Sequence, residues 1–192
     1  MALRRGFKSE AHAIARDVRT ELAVDPCAPL DMWKLADWLE IPLVTLRSLK
    51  SLEPEAVGHF VTVEPGAFSA VTLFKGLSRF VVYNDCHAKT RQASDLAHEL
   101  AHALLQHPPH VPLNEYGCRI WPQGHEEEAD WLGGALLVSE EAALDVVARR
   151  QSIVQAAKDY GVSTKMMQYR LNVTGARQRV SLAKSRPARS RT

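Results

Sequence analysis

The chain changes its hydrophobic period at Asn84, and that change constrains the fold more than any other feature. Before it, Ser69 to Phe74 and Arg79 to Tyr83 are two β-rich runs around Lys75-Gly76-Leu77-Ser78, the pattern of a hairpin. After it, Ala93, Leu96, Ala97, Leu100 and Leu104 recur at the 3.6-residue spacing of an amphipathic helix. The spacing predicts a helix over about 90–106. It stops before Pro108-Pro109, because proline disfavours helical backbone in the residue before it.

Other elements arrange themselves around this switch. Ala11, Ile14, Ala15, Val18 and Leu22 predict a helix over 8–23. Asp31 can cap a second helix over 31–40. Ile41-Pro42-Leu43-Val44 reads as an edge strand, where proline is tolerated, and the alternation over 57–63 reads as another strand. Residues 108–124 are rich in proline and glycine and read as a loop. Everything from about 125 onward is helical in pattern. The expected fold class is α+β: a small antiparallel sheet packed on a long helix, then a mostly helical C-terminal half.

Composition narrows the function classes. The chain has 192 residues, 46% hydrophobic and 24% charged, which predicts a folded protein of about one domain. No apolar stretch approaches the roughly 18 residues that span a bilayer. The charged N-terminus is not followed by an apolar run, so no secretory signal is expected. Cys27, Cys86 and Cys118 form no Cys-x-x-Cys pair, which fits a cytoplasmic, reducing setting. The net charge of +2 conceals a tail: Arg177, Arg179, Lys184, Arg186, Arg189 and Arg191 are all basic. Without them, residues 1–174 hold 18 basic against 22 acidic residues. A mildly acidic body argues against a nucleic-acid surface spread over the fold.

The chemistry sits on the long helix, in His98-Glu99-Leu100-Ala101-His102. Four residues turn a helix by about 400°, so the imidazoles lie about 40° apart on one face, nearly opposite the apolar stripe. Both can then reach one ion about 2.0–2.1 Å from each nitrogen. Glu99 projects to the side, placed to work on water without ligating. A catalytic zinc site needs a third protein ligand and an open position. Gly124-His125-Glu126-Glu127-Glu128-Ala129-Asp130-Trp131-Leu132 offers carboxylates. On a helix whose inner face is Trp131, Leu132, Ala135 and Leu136, Glu128 falls at the centre of that face. An inward carboxylate is costly unless paired or bound to a cation. Glu128 is therefore the expected third ligand, with Glu127 second. Glu126 is expected to point away from that face. Tyr116 and His125 are candidates for oxyanion stabilisation, and His107 and His110 read as surface residues. Manganese or iron also suits two histidines and one carboxylate.

These residues resemble the ImmA/IrrE family of metallopeptidases. The resemblance rests on His-Glu-x-x-His after a hairpin and an Asn84 to Arg91 approach, then Glu126-x-Glu128-Ala129-Asp130 and Leu136-Leu137. Ala28-Pro29-Leu30-Asp31 and Leu35-Ala36-Asp37-Trp38-Leu39-Glu40-Ile41 are similar to the family's opening. Ala156 to Ser163 and Tyr169-Arg170-Leu171 are similar to its closing helix-turn-helix. The chain departs from the pattern at Leu132-Gly133, where the family has Phe-Ala, and at Val138-Ser139, where it has Met-Pro.

The resemblance implies a gluzincin-like fold with His98, His102 and Glu128 on zinc and Glu99 as general base. It implies an endopeptidase that cleaves a helix-turn-helix repressor, relieving repression in a mobile element, phage or stress response. The expected organisation is a monomer with a metallopeptidase domain over 1–150, a helix-turn-helix-like pair over 151–175 and a disordered basic tail over 176–192. Lys165, Gln168, Arg170 and Asn172 on the second helix of that pair are the residues that can face a DNA groove. Direct DNA binding ranks below protein recognition, because Lys158 and Asp159 cancel. The alternatives are a non-catalytic, metal-stabilised binding module and a DNA-binding regulator such as a toxin–antitoxin component.

Overall fold

Helix α1 (Phe7–Glu21) buries Ala11, Ala15 and Val18 of the expected stripe, with Ile14 and Leu22 partly buried beside them, and adds Phe7. Asp31 caps α2 (Met32–Trp38) by accepting from the amides of Trp33 and Lys34 at 2.9 and 3.3 Å. The computed structural model describes residues 3–76, 78–108 and 123–185. Tyr116, His110 and the tail from Arg186 onward lie outside them.

The hairpin forms as expected. Strands β2 (Ala70–Lys75) and β3 (Ser78–Tyr83) pair antiparallel, with Val71 opposite Val82. Strand β1 (Leu43–Thr45) lies on the other side of β3, giving the order β1-β3-β2. It runs parallel to β3, with Leu43 opposite Val81. The three-stranded sheet is therefore mixed rather than antiparallel, within an α+β fold. Parallel partners need a long connection. Here it includes a 3₁₀ turn (Leu46–Ser51), a short helix α3 (Pro54–Gly58) and a π turn (His59–Val63). The strand expected over 57–63 is thus helical. Pro54 starts a helix where a missing amide costs nothing.

Six more helices follow among the described residues: α4 (Lys89–Leu104), α5 (Gln123–Leu137), α6 (Glu140–Ala148), α7 (Ile153–Asp159), α8 (Thr164–Val173) and α9 (Ala176–Ser185). Asn84 and Gln92 secure the passage from sheet to α4. The Asn84 amide donates to the carbonyl of Phe68 at 3.0 Å, and that of Gln92 to the carbonyls of Asp85 and His87 at 3.1 and 2.6 Å. Helix α5 is the centre of the molecule. Leu132, Ala135 and Leu136 are fully buried, and α1, α4 and α8 all pack on it.

The C-terminal end of α5 is buried as well, so its last carbonyls need donors. Two buried arginines supply them. Arg19 donates to the carbonyl of Leu136 at 2.8 Å, and Arg170 to that of Val138 at 2.9 Å. Burial pulls both guanidinium groups down to about 10, which leaves them charged at neutral pH and favourably placed at a helix C-terminus. Arg170 also lies over the Trp131 ring, 4.8 Å from its centroid. It is therefore core, not the groove-facing residue its position on a helix-turn-helix-like pair predicts. Ser152 and Ser163 do cap α7 and α8, accepting from the amides of Gln155 and Met166. Ala156, Ala157, Val162, Met167 and Leu171 from this pair join the same core as α4 and α5. The expected disordered tail begins instead as α9. Ala176 is fully buried, and Arg179 pairs with Glu140 of α6.

The α4–α5 seam depends on one missing side chain. A Cβ on Gly133 would meet the carbonyl carbon and oxygen of Ala97 at 3.1 Å and the amide nitrogen of His98 at 3.2 Å. These are backbone atoms and cannot swing aside. Gly58 is the opposite case: it is helical, and a Cβ there meets nothing within 4 Å. Gly133→Ala should cost stability despite the better helix former, because overpacking of about 1–3 kcal/mol exceeds a propensity gain of up to about 1. Gly58→Ala should stabilise by up to about 1 kcal/mol. Urea midpoints of the two variants check both signs.

Candidate metal centre

Helix α4 buries Leu96, Ala97, Leu100 and Ala101 and turns His98 and His102 toward α5. Gly133 marks the side of α5 that faces α4. Counting back three and seven residues on that side reaches Asp130 and Glu126. Both carboxylates meet the histidines. Glu126 Oε2 lies 3.3 Å from His98 Nε2, and Glu126 Oε1 lies 3.4 Å from His102 Nε2. The two Nε2 atoms are 3.0 Å apart. Asp130 takes the other nitrogen of His98, with 2.8 Å between Oδ1 and Nδ1.

The carboxylate that faces both histidines is therefore that of Glu126, not Glu128. Glu128 is buried as expected, but its cation is Arg4, whose Nε donates to Oε1 at 2.7 Å. Its other oxygen lies 3.4 Å from His107 Nε2. The expectation treated α5 as a helix with a single inner face. Because α5 is enclosed by α1, α4 and α8, burial does not say which neighbour a residue meets. The usable signal was Gly133 together with Glu126-x-x-x-Asp130, a spacing that matches His98-x-x-x-His102. Glu127, the second candidate, is not among the described donors that converge on the histidines.

The donor set fits a divalent ion. Suitable atoms of His98, His102 and Glu126 all lie within 4.8 Å of one another. Donors about 2.0–2.1 Å from a tetrahedral ion stand about 3.3 Å apart. The two Nε2 atoms stand 3.0 Å apart, and each has an oxygen of Glu126 within 3.4 Å, close to that value. The proton count agrees. With the Nδ1 hydrogen of His98 directed at Asp130, its Nε2 holds either a proton or an ion against Glu126. Such a cluster calls for positive charge. Burial lowers the affinity of His98 for a proton, but Asp130, Glu126 and Glu99 outweigh it and push its pKa up to about 10. Three carboxylates thus favour a cation at this spot.

Glu99 faces the sheet. Its Oε2 accepts from Thr72 Oγ1 of β2 at 2.5 Å. Burial raises its pKa, against the Thr72 hydrogen bond. His107, expected at the surface, is buried. Gln106 adopts φ 54° at the end of α4, and the His107 amide donates back to the His102 carbonyl at 3.0 Å. That left-handed turn brings His107 Nδ1 within 2.8 Å of His102 Nδ1. His125, a candidate for oxyanion stabilisation, is stacked on His107 with centroids 4.2 Å apart.

Residues 50–172 match the peptidase M78 family model, described as the IrrE N-terminal-like domain. The chain belongs to this family. No curated protein and no solved structure matches it. The matched span of this IrrE-like peptidase carries His98, Glu99, His102, Glu126 and Asp130, whereas Arg4 and α1 precede it. Membership supports a metallopeptidase-type activity on a protein substrate. No helix among the described residues is long and apolar enough to cross a membrane.

Zinc should stabilise this chain. A ligand at about 100 times its Kd contributes about 2.7 kcal/mol to the folded state. Urea unfolding with zinc and with chelator should show a gain of this order, and His98→Ala should remove it.

Proposed function

We propose that this protein is a zinc-dependent endopeptidase that cuts a helix-turn-helix repressor, or a similar partner protein, and so relieves transcriptional repression in the cytoplasm. The observation that carries the peptidase reading is the convergence of His98, His102 and Glu126 with Glu99 beside them. The repressor as substrate rests on the resemblance to the ImmA/IrrE family. In this reading Glu126 takes the ligand role first expected of Glu128.

An ion held by His98, His102 and Glu126 would supply Lewis acidity toward water and the scissile carbonyl. The chain's own residues do the rest. Glu99 takes a proton from the attacking water as the new C–O bond forms. It then delivers that proton to the amine nitrogen as the C–N bond breaks. Its raised pKa suits a group that must both accept and return a proton. Thr72 fixes the Glu99 carboxylate by donating to its Oε2. Asp130 keeps the Nδ1 hydrogen of His98 in place, so that Nε2 stays available. Strand β2 is an outer strand of the sheet, with Val71 and Leu73 part-exposed. An extended substrate segment can add to its open side next to Glu99.

The test is co-incubation with a candidate helix-turn-helix repressor, with metal and with chelator, read by intact-mass spectrometry. Two fragments summing to the repressor plus one water, formed only with metal, support the reading. Glu99→Gln should bind zinc and lose cleavage by at least about 100-fold, the lower range for a general base. Glu126→Ala should lose zinc affinity by more than about 100-fold, beyond what outer partners cost. Undiminished cleavage by Glu99→Gln would reject the mechanism.

A further inference from the structure

Resting on the reading of His102 as a metal ligand, we propose that His107 is a positioning residue for it, anchored by Glu128 and, through Glu128, by Arg4. The two ligand histidines are backed differently. His98 meets its carboxylate directly, through Asp130 at 2.8 Å. His102 meets a second imidazole instead: its Nδ1 lies 2.8 Å from His107 Nδ1. A carboxylate stands behind that imidazole, with 3.4 Å between His107 Nε2 and Glu128 Oε2.

The proton count runs in one direction along this row. A neutral His102 that offers its Nε2 lone pair to an ion carries its hydrogen on Nδ1. His107 Nδ1 must then accept, so a neutral His107 carries its own hydrogen on Nε2, facing Glu128. The far oxygen of Glu128 accepts from Arg4 Nε at 2.7 Å. Arg4 in turn pairs with Glu10 at 2.7 Å and lies over the Phe7 ring, 4.9 Å from its centroid. In this assignment each ring hydrogen faces an acceptor: that on His102 Nδ1 faces His107 Nδ1, and that on His107 Nε2 faces Glu128 Oε2.

Packing holds His107 in this orientation. The left-handed turn at Gln106 sets its backbone, and His125 stacks on its ring with an interplanar angle of 15°. Glu128 is 9% exposed and His107 8%, so bulk water does not easily substitute for either partner. The row also ties the segment before α1 to the centre, which assigns Glu128 a role that its position on α5 alone did not reveal. If the Arg4–Glu128 pair merely fastened the N-terminus to α5, removing it would change stability and leave metal affinity alone.

The experiment measures zinc affinity of the full chain by competition with a chromophoric chelator. It uses wild type, His107→Leu, His107→Gln and Glu128→Leu, and records the visible spectrum of each cobalt derivative. His107→Leu and Glu128→Leu should weaken zinc by about 10–100-fold and shift the cobalt spectrum, the cost usual for an outer partner of a metal ligand. His107→Gln should stay within about threefold of wild type, because its amide can accept from His102 and donate to Glu128. Wild-type affinity in a folded His107→Leu overturns the proposal. If His107→Leu does not fold, wild-type affinity in Glu128→Leu overturns it. Wild type that binds no zinc at micromolar supply sinks the ligand reading, and the proposal with it. Tight wild-type binding with unaffected variants sinks the proposal alone.

Discussion

The close approach of α4 and α5 at Gly133 is the contact on which the rest of the molecule depends. Two helices meet backbone to backbone only where one of them lacks a side chain, and the Ala97 carbonyl fills that space. From this point outward the register is set. One helix presents imidazoles at positions 98 and 102, and the other presents carboxylates at 126 and 130 on the facing side. A shift of one residue in either helix would rotate these groups by about 100° and scatter them. The seam thus does for the site what the hydrophobic core does for the fold.

Charge is distributed along α5 in a way that suits its dipole. Glu126 occupies its first turn, where the helix end is positive. Arg19 and Arg170 meet its last carbonyls, where the helix end is negative. Burying an arginine is costly unless its hydrogen bonds are made, and at the enclosed C-terminus of α5 there are acceptors that need donors. The two arginines satisfy those acceptors, and Trp131 covers one of them. The helix-turn-helix-like pair is fastened to the rest of the molecule by the same means. Its second helix contributes Arg170, Met167 and Leu171 to the common core instead of standing apart as a reading head.

Much of the fold was legible because it rests on local patterns. The stripe of α1, the Asp31 cap, the hairpin and the serine caps of α7 and α8 are all short-range features. Each sits within a few residues of the signal that announces it. The strand expected over 57–63 failed because alternation states only a capacity for pairing, and Pro54 opens a helical connection there instead. The start of the tail was misread for a related reason. Its basic composition suggested solvent, but Ala176 and the Arg179–Glu140 contact belong to α6 packing that no local window contains.

The candidate centre divides along the same line. That His98 and His102 stand together was legible in the sequence alone, because helical geometry places residues four apart on one face wherever the helix goes. The choice among Glu126, Glu127 and Glu128 belonged to tertiary structure. All three share one turn of helix, and only the direction from which α4 and the Arg4 segment approach decides which of them meets the histidines. His107 likewise owes its burial to a left-handed turn at Gln106 and to the arrival of Glu128 beside it. A spacing rule reads one helix at a time, whereas a binding site is a fact about two.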